Sequence, residues 1–355
     1  MNARRSRGPL RQCGVGLMEV MISIVIGMLL VLVIYQVYEI SEGQKRTITS
    51  GSDAQQNATY GLYVMGRDIS MAGNGIMSAA GDLIDCPDLK PVPVLIKSGG
   101  AANDPDEITV LYGGAPSLST PAPFRASATG TTPYVVASPV GFSGGDVIAA
   151  VQKPNCTIST INPGTVTVDP ATGFATISHT PVAGSPSHSY ASGVAVLVNL
   201  GQAAAMGRIK YDVDATTHAL RSQNLLPDPA AAPSPIPIIS DVVNLKAQYG
   251  VDTNCNGLLT WQEPTGQWDA AVVPTRDLAC VPGTPTLRQI QAIRIAIVTR
   301  SAQYERETVS PDQLKLFCDT PSTCAVTMDL TADDRHYRYK VLETAVPLRN
   351  ALWNN

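Results

Sequence analysis

The chain has 355 residues, of which 44% are hydrophobic, 15% charged and 5% aromatic, and Asp plus Glu outnumber Lys plus Arg, 29 to 25. That length holds one large domain or two small ones. The acidic balance argues against recruitment of nucleic acid through net charge and leaves only a local basic patch as a route.

The first element is apolar. Arg4, Arg5, Arg7 and Arg11 precede it, and between Val15 and Tyr38 the sole charged side chain is Glu19. About 20 apolar residues cross a bilayer core as a helix. The arginines before it set the N-terminus in the cytoplasm and the remainder outside. A carboxylate in that medium costs roughly 2.5–3.5 kcal/mol at a helix centre and less near an end, so Glu19 needs a partner or a route to the interface. A secretory signal would close on small residues after the apolar run. Here the run passes into Tyr35, Gln36, Tyr38 and Glu39, and the small residue, Gly14, stands before it.

Ala54, Ala58, Leu62, Met65, Ile69 and Ala72 then recur at steps of four and three, which is one face of an amphipathic helix ending at Gly73-Asn74-Gly75. A helix from Val15 to Ala72 would be roughly 85 Å long at 1.5 Å per residue. Gly43, Gly51, Gly61 and Gly66 weaken it by ~1 kcal/mol each relative to Ala, and a bend or melted turn between Gly43 and Gly51 is expected. The stripe reads as the spine on which a head packs.

After Gly75 the pattern changes to strands separated by turns. They are expected at Glu107–Tyr112, Asp146–Val151, Thr165–Asp169, Ala175–His179, Val194–Leu200, Arg208–Val213, Val242–Gly250, Ile290–Thr299 and Tyr337–Val346. Pro227–Pro237 reads as a linker or long loop. The expected class is α+β, with a long helix whose N-terminal half is transmembrane and a β-rich head. The expected divisions are residues 1–14, 15–40, 41–72, 73–240 and 241–355.

Cys13 lies in the basic leader. Cys86, Cys156, Cys255, Cys280, Cys318 and Cys324 form an even set outside the cytoplasm and read as disulfides. Pairing of sequence neighbours is expected: Cys86–Cys156, Cys255–Cys280 and Cys318–Cys324.

The stretch "DTNCNGLLTWQE" fits D-x-[DN]-x-[DN]-G-x5-E. Asp252, Asn254, Asn256, the Leu258 carbonyl, Thr260 and Glu263 would supply oxygens to calcium. Two charged ligands would make a weak site, and Pro264 stops a helix from following. The same residues also read as an Asn-Gly hairpin turn pinned by Cys255. "GFSGG" (Gly141 to Gly145) matches G-x-S-x-G, but a strand rather than a helix follows it, so it reads as a glycine turn. His179, His188, His218 and His336 have no zinc spacing. Tyr337-Arg338-Tyr339-Lys340 alternates as a half-exposed strand does, and no nucleic-acid partner is expected from it.

The basic leader, Gly14, Val15 and Glu19 resemble the class III leader of type IV pilins and pseudopilins. That resemblance implies cleavage after Gly14 by the prepilin peptidase and methylation of the new N-terminus at Val15. It also implies pairing of Glu19 with the neighbouring subunit's amine in a filament. "GRDISMAGNGI", "GGDVIAAVQKPNC", "VVNLKAQYGVDTNCNG", "QIQAIRIAIVTRS" and "YKVLETAVPLRN" resemble stretches of PilW-type minor pilins; residues 157–200 resemble no named stretch. The family implies a non-enzymatic role in priming type IV pili, in a tip complex with other minor pilins, the major pilin and an adhesin. The prepilin would sit in the inner membrane with its head in the periplasm, and later in the surface pilus. A minor pseudopilin of type II secretion, a DNA-uptake receptor and an anchored enzyme are the rival readings. The gene neighbours, a basic surface with salt-dependent binding and a Ser/His/Asp or metal constellation would respectively mark them.

Overall fold

A computed structural model of the chain describes residues 16–74, 92–114, 121–152, 155–182, 185, 187–226, 233–275, 280–320 and 323–352. They fall into two units, divided after Ser50.

The first unit is the leading part of helix α1, which runs from Leu17 to Met71. Every large apolar side chain from Leu17 to Ile40 is 45–80% exposed. The segment reaches a mean hydropathy of 2.8 and is long and apolar enough to cross a membrane. A surface of that kind is not left in water by a soluble protein. The expected melted turn at Gly43–Gly51 is absent, and α1 is helical through both glycines. Near them, Arg46 pairs with Glu42 one turn before it, a small support to the helix, while Thr47 Oγ1 donates to the Gly43 carbonyl at 3.1 Å and Ser50 Oγ to the Thr47 carbonyl at 3.2 Å.

The second unit holds the rest of α1 and a β-rich head. Its early strands are β1 (Val94–Lys97), β2 (Glu107–Tyr112), β3 (Ala122–Pro123), β4 (Ala128–Thr129) and β5 (Tyr134–Val136). Next come β6 (Asp146–Gln152), β7 (Asn155–Val168), β8 (Ala175–Pro181), β9 (Ser189–Tyr190) and β10 (Val196–Gln202). Then follow β11 (Gly207–Asp214), β12 (Ala219–Asn224), β13 (Ile236–Ile239), β14 (Val242–Val251) and β15 (Thr260–Gln262). The last are β16 (Ile290–Arg300), β17 (Gln313–Thr320), β18 (Thr323–Asp329) and β19 (Tyr339–Pro347), before a short helix α2 (Arg349–Leu352).

Two sheets carry α1. One has the order β1-β2-β11-β12-β13 and the other β15-β14-β16-β19. Between β2 and β11 the chain leaves the first sheet and builds another, β3-β10-β6-β7-β8-β5, with its own apolar centre around Phe124, Tyr134 and Tyr190. The main core joins Ala58, Met65, Ile69 and Ala72 of α1 to Ile108, Tyr211 and Leu220 of one sheet and Leu245, Tyr249 and Ile297 of the other. It therefore crosses residue 240, where the sequence was divided.

Eight of the nine expected strands are present within two residues of their expected bounds, and the ninth, Thr165–Asp169, is the end of β7, which begins ten residues earlier at Asn155. The β1, β3, β4, β5, β9, β12, β15, β17 and β18 strands were not foreseen. Nor was β13, whose start lies in the stretch read as a linker; Pro237 is accommodated because β13 is an edge strand.

Candidate assembly site

Gly14 and Val15, the expected processing residues, lie outside the described residues. Glu19 is in the first turn of α1. Its amide donates to the Gly16 carbonyl at 2.9 Å, and its own carbonyl accepts from Ser23 Oγ at 2.7 Å. The carboxylate is exposed and forms no ion pair or hydrogen bond with any described residue. An acid near the start of a helix is favoured by the helix dipole, but in an apolar medium that leaves most of its charge unbalanced.

The later part of α1 is seated by a polar contact within the apolar core. Asp68 is 3% exposed. One of its oxygens accepts from Arg67 Nε and Nη2 at 3.1 and 3.0 Å, and the other from the Tyr211 hydroxyl at 2.6 Å. Burial, reinforced by Asp68, pushes the Tyr211 hydroxyl well above the usual phenol range. The bond to Asp68 likewise raises the Arg67 guanidinium. Thr299 Oγ1 donates to the Ala54 carbonyl at 3.0 Å, and Asn350 Nδ2 to the carbonyls of Met71 and Ala72 at 3.3 and 2.9 Å. Gly61 is required by closeness: a Cβ there would stand 2.7 Å from Ile239 Cδ1 and 3.0 Å from Ile297 Cδ1. The apolar stripe in the sequence located this face but did not reveal Asp68 or Gly61. Their position one residue inside the stripe was the available signal.

The segment from Asp252 to Glu263 is the β14–β15 hairpin. Asp252 is 2% exposed, and its two oxygens accept the Asn256 and Gly257 amides at 3.0 and 2.7 Å. Burial pushes this carboxyl up, but the amides of Gly257, Asn256, Asn254 and Cys255 together hold it below the usual range. Asn256 Oδ1 accepts the Leu258 amide at 3.0 Å, and Thr260 Oγ1 donates to the Val251 carbonyl at 3.2 Å. Glu263 accepts from Gln248 Nε2 at 2.7 Å. Gln248 lies four residues before Asp252 on an extended strand, about 13 Å along the chain. The six expected calcium ligands are thus not gathered, and among the described residues no group of three or more His, Cys, Asp or Glu is placed to hold a metal ion. As folded, the loop does not fit an EF-type calcium site; it is an Asx-type turn with positive φ at Cys255 (54°) and Gly257 (82°).

Cys255 pairs with Cys280 and Cys318 with Cys324, as expected from sequence. Cys156 is also disulfide-bonded, and Cys86, its expected partner, lies outside the described residues. In "GFSGG", Gly141 and Gly145 have φ of 86° and 89°, and the Ser143 amide donates to Asp146 at 2.8 Å. The segment turns into β6, not into a helix. Tyr337 carries Arg300 over its ring at 4.5 Å and packs on Tyr304, while Arg338 pairs with Glu305.

Comparison with known proteins agrees with both ends of the chain. Residues 209–350, from β11 into α2, match the family model for PilW, Type IV Pilus-assembly protein W. Residues 9–35 match the prokaryotic N-terminal methylation motif. No curated protein matches the chain. Among solved structures, a type IV-like pilin from Thermus thermophilus is 11% identical, covering 59% of this chain and 86% of its own, with a TM-score of 0.21. The sheet built from β3 to β10 lies outside both family matches. The chain therefore carries a methylation motif at the start of its apolar helix and, over residues 209–350 of its head, a match to the PilW protein of type IV pilus assembly.

Proposed function

We propose that the chain is a minor pilin that primes type IV pilus assembly from a tip complex. Its role is structural, and the prepilin peptidase acts on it rather than the reverse. The observation that carries this reading is Glu19, a carboxylate with no partner among the described residues, at the start of an exposed apolar helix that carries the methylation motif. After cleavage behind Gly14, the Val15 amine of an adjacent subunit supplies the missing positive charge. That pair sets the axial register, and the apolar faces bundle around it. The head of some 300 residues, enlarged by the additional sheet, favours a place where nothing must stack above it. The partners are other minor pilins, the major pilin and an adhesin. The prepilin resides in the inner membrane, then leaves it in the surface pilus. The PilW match favours this over a type II secretion pseudopilin.

Glu19→Gln tests the pairing. The variant should be cleaved and inserted normally but lose incorporation into pili, with fewer pili per cell. Normal incorporation would remove Glu19 from the assembly step.

A further inference from the structure

The sheet β15-β14-β16-β19 ends on β19, and the register fixes which of its backbone groups are used. The Leu348 amide donates to the Gln291 carbonyl at 2.8 Å, and the Ser301 amide to the Arg338 carbonyl at 2.7 Å. Both continue the register that sets Ala292 opposite Pro347 and Arg300 opposite Tyr339. Hydrogen-bonded pairs alternate along an antiparallel ladder. Residues 340, 342, 344 and 346 therefore bond inward to β16, and the amides and carbonyls of Val341, Glu343 and Ala345 point away from it. No described residue pairs with those outward groups. The strand is nine residues long and has no bulge in its pairing to β16. Soluble proteins usually shorten, bulge or cover such an edge.

Beside this edge is a groove of about 600 Å³ between β19 and α1, lined on the helix by Leu62, Tyr63 and Gly66. Tyr63 is 67% exposed. The groove is open at Gly66, where an added Cβ would make only an ordinary contact with Val346, at 3.6 Å. Arg67 and Arg349 line the groove as well, and both are solvent-accessible. The acid beside them, Glu343, is engaged by the Phe317 amide at 2.6 Å and Arg294 at 3.2 Å. Arg67 is already paired with Asp68, so the groove offers a backbone ladder that no described residue uses, an apolar wall and a positive charge at Arg349.

We infer that β19 accepts an added strand from a different subunit, an extended segment with an acidic side chain facing Arg349. Backbone bonds to Val341, Glu343 and Ala345 hold the guest strand, and its alternate side chains lie against Leu62 and Tyr63. A second copy's β19 is a poorer guest, because it brings its own Lys340 and Arg349 to a rim that is already positive. The inference rests on the chain being an assembling subunit, which leader processing tests independently.

The test replaces Tyr63 with p-benzoylphenylalanine in the full chain and irradiates cells that make pili. The crosslinked peptide should be an extended, acid-containing segment of another pilus subunit. Ala345→Pro removes one outward amide and leaves the inward ladder intact, as edge strands tolerate. It should cut the crosslink about ten-fold, the worth of one hydrogen bond and its neighbours, with the melting temperature unchanged. Arg349→Glu, which leaves the backbone alone, should weaken it as well. A crosslink to a second copy, a crosslink indifferent to both variants, or none despite normal leader processing would overturn the proposal.

Discussion

Asp68 helps to seat the helix among its apolar neighbours, because its removal would leave a buried donor without its acceptor. In Asp68→Ala the Tyr211 hydroxyl stays buried without an acceptor, which costs about 1–3 kcal/mol. Tyr211→Phe should cost less, and the double variant should fall short of the sum, since the two share one bond. Urea unfolding of the full chain in detergent measures all three. Asp252 is a parallel case. Its carboxylate closes the β14–β15 turn through the Asn256 and Gly257 amides. Asp252→Ala should therefore lower stability by about 1–3 kcal/mol equally in calcium and in chelator. A melting temperature of the native chain that rises with calcium would show instead that the loop rearranges around the ion. The sequence made Asp252 conspicuous because ligand oxygens and turn acceptors are the same atoms. Only the register, which sets Glu263 beside Gln248, separates the two uses.

At the scale of elements, α1 was legible because its two faces obey one period, first all apolar and then striped. Its continuity through Gly43 and Gly51 was not legible, since propensity is a weak prior and the Glu42–Arg46 pair that supports the helix there is individually small. Gly61 was misread for the opposite reason. It weakens the helix locally, yet it lets α1 approach Ile239, Ile297 and Leu220. Gly61→Val should destabilise the protein by about 1–3 kcal/mol through overpacking, whereas Gly43→Val, which meets nothing within 4 Å, should not lower the melting temperature. Equal effects at the two positions would contradict this seating of α1. The central strands were found from alternation and β-branched runs. The β17–β18 hairpin and edge strand β13 escaped because their polar residues and Pro237 resemble loops.

Across the whole molecule, the sheet from β3 to β10 adds a second core to the PilW-like part, and that core contains a titratable group. His179 is 8% exposed, stacks on Tyr134 at 3.8 Å and bonds the Thr132 carbonyl. Burial holds its pKa below the ordinary histidine value, against the pull of that carbonyl. The unfolded chain therefore binds the proton more readily. The stability this group contributes is whole above about pH 6.5 and is lost as pH falls through the folded value. Melting at about pH 7.5 and 5.5 should show the loss, and His179→Phe should flatten it; an unchanged slope would place the acid sensitivity elsewhere. Which sheet belongs to the PilW part could not be read from strand patterns alone, because β2 and β11 pair across the intervening sheet. The central claim rests on the other end of the chain. The most direct test is the intact mass of the protein recovered from its own envelope. Loss of residues 1–14 with gain of one methyl group is the predicted result, and an uncut chain still carrying Cys13 would contradict it.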